Sequence, residues 1–118
     1  MRDETRRQDH LNDLLGELSR ALELLAVPRA IFNRTLRYED VITWFIDNRP
    51  RGGVAQAGAV LRGPAPGGRL DIIQVFLDGQ HSVACGPGGK PYGRRLEVHA
   101  LDDELSEAFG QSDLLLVQ

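Results

Sequence analysis

The stretch from residue 70 to residue 77, Leu-Asp-Ile-Ile-Gln-Val-Phe-Leu, constrains the fold of this chain more than any other segment. It is typical of a β-strand because it is rich in β-branched and aromatic residues and is followed by Asp78-Gly79, a frequent hairpin turn. A strand with one face in water alternates apolar and polar side chains. This strand is apolar on both faces, so the sequence predicts a sheet that is covered on both sides near its centre.

The first 50 residues are predicted to be helical. Five leucines recur at spacings of four and three, which places them on one stripe of a helix; they are Leu11, Leu15, Leu18, Leu22 and Leu25. We expect this helix either to cover the sheet within the chain or to form an interface with a second chain or a partner. A shorter helix is predicted over residues 38–47, with a strand over residues 41–46 as the alternative because Val, Ile, Trp and Phe favour strands.

Glycines and short apolar runs dominate the chain after residue 50. Further strands are predicted at residues 54–61, 81–85, 94–100 and 113–117, with a helix between the last two that starts at Asp102 or Asp103 and ends at Phe109. This order predicts a single α+β domain over residues 1–118, with a helical part at 1–50 and a sheet part at 54–118. In it, an N-terminal amphipathic helix and a short second helix pack on a mostly antiparallel sheet of four to five strands, and a short helix precedes the C-terminal strand.

Composition narrows the possible functions. The net charge of −3 disfavours nucleic acid as a partner, because proteins that bind phosphate backbones usually carry a basic excess. Cys85 is the only cysteine, so an internal disulfide is impossible and a cysteine-based zinc site is not expected. No apolar run approaches the roughly 18 residues of a membrane span. We expect a soluble cytoplasmic protein with no cofactor and no membrane contact, and the excess of arginine over lysine indicates high-GC bacterial coding.

A glycine-rich loop from Gly86 to Gly93 is the strongest candidate for ligand binding. Positive charge and an aromatic ring lie beside its backbone N–H groups, a combination suited to a phosphate or carboxylate; the residues are Lys90, Tyr92, Arg94 and Arg95. The loop leads into a strand instead of a helix, so it matches neither a P-loop nor a dinucleotide fingerprint. Glycines in such a loop more often serve turns.

We predict no catalytic and no metal-binding residue. Cys85, Glu97 and His99 would permit a cysteine–histidine nucleophile only if the fold brought them together, and an inert thiol is the commoner outcome. The acidic residues near Asp102 are interpreted as helix caps.

These observations favour a non-enzymatic protein–protein interaction module or accessory subunit. We expect it to associate with itself, with another protein, or with both. The alternative is a sensor that binds a small anionic ligand or a nucleotide through the Gly86–Gly93 loop.

Overall fold

A computed structural model describes residues 30–32 and 34–117, which form a five-stranded mixed sheet with two helices. The predicted α+β class and the helix over residues 38–47 are confirmed, and the strand alternative for residues 41–46 is wrong. The predicted N-terminal helix and its leucines lie outside the described residues. The elements are β1 (Ala30–Phe32), α1 (Tyr38–Asp47), β2 (Ala57–Pro64), β3 (Leu70–Leu77), β4 (Gly93–Val98), α2 (Asp103–Phe109) and β5 (Leu114–Val117).

The strands lie in the order β1-β4-β3-β2-β5. β1 runs parallel to β4, and every other neighbouring pair is antiparallel. The sequence did not predict β1, which is only three residues long and occurs in the segment that was expected to be helical. Among the described helices, none is long and apolar enough to cross a membrane.

The predicted strand at residues 81–85 is wrong, because that segment makes only isolated bridges at Val83 and Cys85. The carboxylate of Asp78 accepts hydrogen bonds from the backbone N–H groups of Gln80 and Ser82, at 2.9 and 3.0 Å. His81 has a φ of 60°, in the left-handed region that residues with a Cβ seldom adopt. Residues 80–82 therefore form a local turn: two of their backbone N–H groups bond to Asp78 and His81 has a left-handed backbone, so the segment cannot make the regular pairing of a strand.

Residues 71–77 of β3 are all buried, so the strand is covered on both faces as the sequence predicts. On the first face, Ile72 and Phe76 belong to a core that includes Val41 and Phe45 of α1 and residues of α2. A separate apolar cluster lies on the second face, and its members come from strands β2, β3 and β5: Ala59, Leu61, Ile73, Val75, Leu77 and Leu114. Both described helices contribute to the first-face core, and within residues 30–32 and 34–117 no helix residue joins the second-face cluster.

The two helices start side by side at Asp102. Its Oδ1 accepts hydrogen bonds from the N–H of Leu105, at 2.8 Å, and from the N–H of Tyr38, at 3.2 Å. The backbone of Leu36 bonds to Ala100 and to Asp102, both at 3.0 Å, and holds the chain before α1 next to the chain before α2. A single carboxylate thus satisfies N–H groups in the first turns of both helices, which confirms Asp102 as a cap.

Gly58 allows α1 to lie close to the sheet. A Cβ atom at this position would come within 2.6 Å of Cε1 of Phe45. The Phe45 ring packs edge-on against Phe76, with centroids 5.2 Å apart, and also contacts Trp44. Because these rings limit its movement, Phe45 has little room to yield to a larger residue at 58.

Gly58→Ala is therefore expected to lower the free energy of unfolding by about 1–3 kcal/mol, as overpacking of a filled core does. Thermal denaturation monitored by circular dichroism measures this loss of stability. Gly63→Ala is the matched control, because Gly63 lies in the same strand and no atom would come within 4 Å of its new Cβ. Equal losses in the two variants would show that strand propensity, and not the Phe45 contact, sets the cost.

Candidate functional site

Arg94 and Arg95, which the sequence placed in one anion site, point to opposite faces of the sheet. Successive side chains of a strand alternate between faces. Arg94 lies on the first face, where its Nε donates to Gln74. Arg95 lies on the second face and binds the carboxylate of Asp71 through its Nε and Nη2. One small ligand cannot contact both guanidinium groups.

The Gly86–Gly93 loop is a closed turn. The N–H of Gly86 donates to the carbonyl of Lys90 at 2.8 Å, and the N–H of Gly89 donates to the carbonyl of Gly86 at 3.1 Å. Lys90 is exposed in this turn, whereas Tyr92 is half-buried, packs on the first-face core and has its ring against Gly86. The four predicted ligand residues do not converge, so ligand binding by that set stays a prediction without a common site.

The β2–β3 hairpin uses the same turn. Ala65 donates its N–H to the carbonyl of Arg69 at 2.9 Å, which matches the Gly86–Lys90 bond. Both turns have the sequence Pro-Gly-Gly followed by a basic residue, and both glycines in each have φ near +75°. Glycine adopts this conformation without steric cost. The geometry of the turn therefore explains why the same Pro-Gly-Gly sequence occurs in both loops.

Cys85, Glu97 and His99 are not assembled into a nucleophilic site. Cys85 pairs with Pro91 before β4 begins, whereas His99 follows the other end of β4, on the order of 20 Å away at the rise of an extended strand. Glu97 lies near Arg69, with 3.7 Å between charged atoms. Within the described residues, no group of three or more His, Cys, Asp or Glu side chains is placed to hold a metal ion.

An apolar cleft separates α1 from the edge of the sheet. Its volume is about 570 Å³, within the range of pockets that bind ligands or side chains. One of its lining residues, Ile46 of α1, is strongly exposed for its type, at 70%. We call it the α1–β5 cleft; it is lined by Tyr38, Ile42, Phe45, Ile46, Arg49, Ala55, Gln56, Ala57, Gly58, Phe76, Leu116 and Val117.

Strand β5 forms the edge of the sheet beside this cleft. Its sequence is Leu-Leu-Leu-Val, and it pairs only with β2 among the described strands. Within residues 30–32 and 34–117 no strand covers its outer edge, and an edge strand carries unpaired N–H and C=O groups that a further strand can bind. An uncharged edge strand next to an apolar cleft is a suitable surface for another protein chain.

Arg94 and Trp44 lie on the other flank of α1. The Nε of Arg94 donates to Oε1 of Gln74 at 2.7 Å, and its Cζ lies 5.0 Å from the centroid of the Trp44 ring. Gln74 is fully buried, and its Nε2 donates to the carbonyl of Val41 at 3.2 Å. Burial lowers the pKa of Arg94 to about 10, so the guanidinium remains charged at neutral pH.

Neither flank of α1 was predicted as a site from the sequence. Trp44 falls just beside the apolar stripe of its helix, which is the only sequence signal that it faces something other than the core centre. The cleft depends on how α1 lies relative to β5, which no local pattern reveals. Comparisons of the chain with family models, with curated proteins and with solved structures found no match.

Proposed function

We propose that the protein is a non-enzymatic interaction module or accessory subunit whose docking surface is β5 together with the α1–β5 cleft. The proposal rests on the cleft of about 570 Å³ beside an edge strand that has no further strand partner in the described part of the chain. An incoming strand adds backbone hydrogen bonds along β5, and an apolar side chain from it fills the cleft.

The first partner we propose is a second copy of the chain. Two copies of β5 can pair antiparallel around a twofold axis, which presents the same surface from each side. Residues 114–117 carry no charge, so this pairing sets no like charges opposite each other. Ile46, which is exposed in one chain, would be covered in the pair.

Self-association is tested by size-exclusion chromatography with light scattering at tens of micromolar. The expected mass is at least twice the 13.1 kDa of one chain. Ile46→Arg is expected to return the protein to a monomer, because the new guanidinium would lie in the apolar contact at the cleft.

Ile31→Arg is the matched control. Ile31 is exposed at 63% and lies in β1, the strand at the opposite edge of the sheet. It should leave the mass unchanged. A wild-type monomer would remove the self-association part of the proposal, and a dimer that only Ile31→Arg disrupts would move the interface to the other edge.

The sensor alternative has weaker support in its original form. Its binding residues were Lys90, Tyr92, Arg94 and Arg95, and the two arginines lie on different faces. Arg95 already has a carboxylate partner in Asp71, with 2.6 Å between Nη2 and Oδ2. The loop N–H groups of Gly86 and Gly89 are engaged within the turn. The interaction module is accordingly the function that we favour.

A further inference from the structure

Arg94 differs from Arg62 and Arg95, the other two arginines within the described strands, because both of those have a carboxylate partner. Each of four described arginines has a carboxylate within 4 Å, and the pairs are Arg37–Asp40, Arg62–Asp113, Arg69–Glu97 and Arg95–Asp71. Arg94 has no such partner among the described residues and is held by an amide and an indole ring instead. A half-buried guanidinium without a counter-ion is electrostatically unsatisfied, because burial removes the water that would stabilise its charge.

The Arg94 guanidinium is nevertheless held in place. Gln74 fixes its Nε, and Gln74 is itself anchored to the backbone of α1 at Val41. The ring of Trp44 lies against the guanidinium, and Trp44 also packs on Phe76, with ring centroids 5.4 Å apart. The N–H groups of Nη1 and Nη2 have no acceptor within the described part of the chain, and both Arg94 and Trp44 are partly accessible to solvent.

We propose that Arg94 and Trp44 form a binding site for one carboxylate that is attached to an apolar chain. The two free Nη groups make a planar fork, which matches the two oxygens of a carboxylate. The indole of Trp44 offers an apolar surface beside that fork for the rest of the ligand. This site is independent of the docking surface, which lies on the opposite flank of α1.

The nearby charges favour a single negative charge over several. Asp40 acts on Arg94 through space, but its carboxylate is engaged by the backbone N–H of Arg37 at 2.9 Å and by its guanidinium at 3.4 Å. Although burial tends to raise the pKa of Asp40, these bonds and the charge of Arg37 lower it, so Asp40 is ionised at neutral pH. With one available cation and one nearby anion, a phosphate dianion should bind less well than a carboxylate.

Trp44 is the only tryptophan of the chain, so intrinsic fluorescence reports directly on the site. The experiment titrates the full-length protein at pH 7 and constant ionic strength with hexanoate, with hexanamide and with inorganic phosphate. Hexanoate is expected to give a saturable change in emission. Hexanamide, which carries no charge, and inorganic phosphate, which has no apolar chain to contact Trp44, are each expected to bind more weakly by about tenfold.

Three variants identify the residues. Arg94→Met should abolish the response to hexanoate, whereas Arg95→Met, in the same strand but on the second face, should retain it. Arg94→Lys keeps the charge without the fork and should bind more weakly, which provides a test if Arg94→Met does not fold. Asp40→Asn should tighten binding severalfold, because it removes the competing negative charge while keeping an oxygen that can accept from Arg37.

Several outcomes would overturn the site. They are the absence of saturation by hexanoate, an equal response to hexanamide, an unchanged response in Arg94→Met or Arg94→Lys, and weaker binding in a folded Asp40→Asn variant. If the wild-type protein is a monomer but binds hexanoate, the result counts against the docking surface and leaves this site standing.

Discussion

Replacing Phe76 with alanine is expected to lower the free energy of unfolding by about 3–5 kcal/mol, the usual cost of deleting a buried aromatic side chain. Phe76 lies in β3 near the centre of the sheet and is almost fully buried. Its ring contacts the rings of Phe45, at 5.2 Å, and Trp44, at 5.4 Å, so the substitution removes two aromatic contacts together with the buried area. The loss is a large part of the ~5–15 kcal/mol that stabilises an ordinary domain.

Urea denaturation of the wild type and the variant measures this loss, with Phe32→Ala as the matched control. Phe32 is half-buried at the sheet edge in β1 and packs only at the margin of the first-face core. Its truncation should cost clearly less than that of Phe76. If the two variants lost the same stability, or Phe76→Ala lost less than about 1 kcal/mol, the aromatic group would not be a main part of the core.

The elements that were predicted correctly carry strong local signals. The bounds of α1 and β3 agree with the predicted residues 38–47 and 70–77. In α1 the signal is apolar periodicity with acidic residues in the first turn, and in β3 it is a run of strand-forming residues before a turn. The cap of α2 was predicted at Asp102 or Asp103 from residue type alone, because a capping bond involves residues only three positions apart, and the structure shows Asp102.

Features that depend on distant contacts were not predictable. β1 has three residues and exists because it pairs with β4, more than sixty positions later in the chain. The same limit applies to the candidate sites. Alternation along a strand would have separated Arg94 from Arg95, but the two were predicted to share one anion site. Arg95 pairs with Asp71 and Arg94 with Gln74 because of the register between β3 and β4. No local sequence pattern specifies that register.

The second large effect is expected from Asp71→Ala. Asp71 and Arg95 form a two-pronged ion pair on the second face, with Nε–Oδ1 at 3.0 Å and Nη2–Oδ2 at 2.6 Å. The hydrogen bond to Asp71 also raises the pKa of Arg95, the direction expected for a guanidinium that gains a partner. The side chains are only 11% and 24% exposed, so removing the carboxylate leaves a largely buried cation unpaired.

We expect Asp71→Ala to cost about 2–4 kcal/mol, between the value of an exposed pair and the ~3–5 kcal/mol lost when a fully buried pair is broken. Arg69→Ala is the control, because its contact with Glu97 is longer, at 3.7 Å, and more exposed, and it should cost less than about 1 kcal/mol. The double variant Asp71→Leu with Arg95→Met should recover most of the loss, since it replaces both charges with apolar groups of similar size.

The size of this effect also tests whether the second face of the sheet is covered in solution. In water the pair would be screened and its removal nearly silent, whereas under a cover the unpaired guanidinium would be costly. Ile73 and Val75 follow Asp71 on the same strand and are buried, which requires that water be kept from this face. Urea denaturation of the single and double variants measures the loss of stability and so tests this cover. A loss below about 1 kcal/mol for Asp71→Ala would mean that water reaches the ion pair and that β3 is protected on one face only.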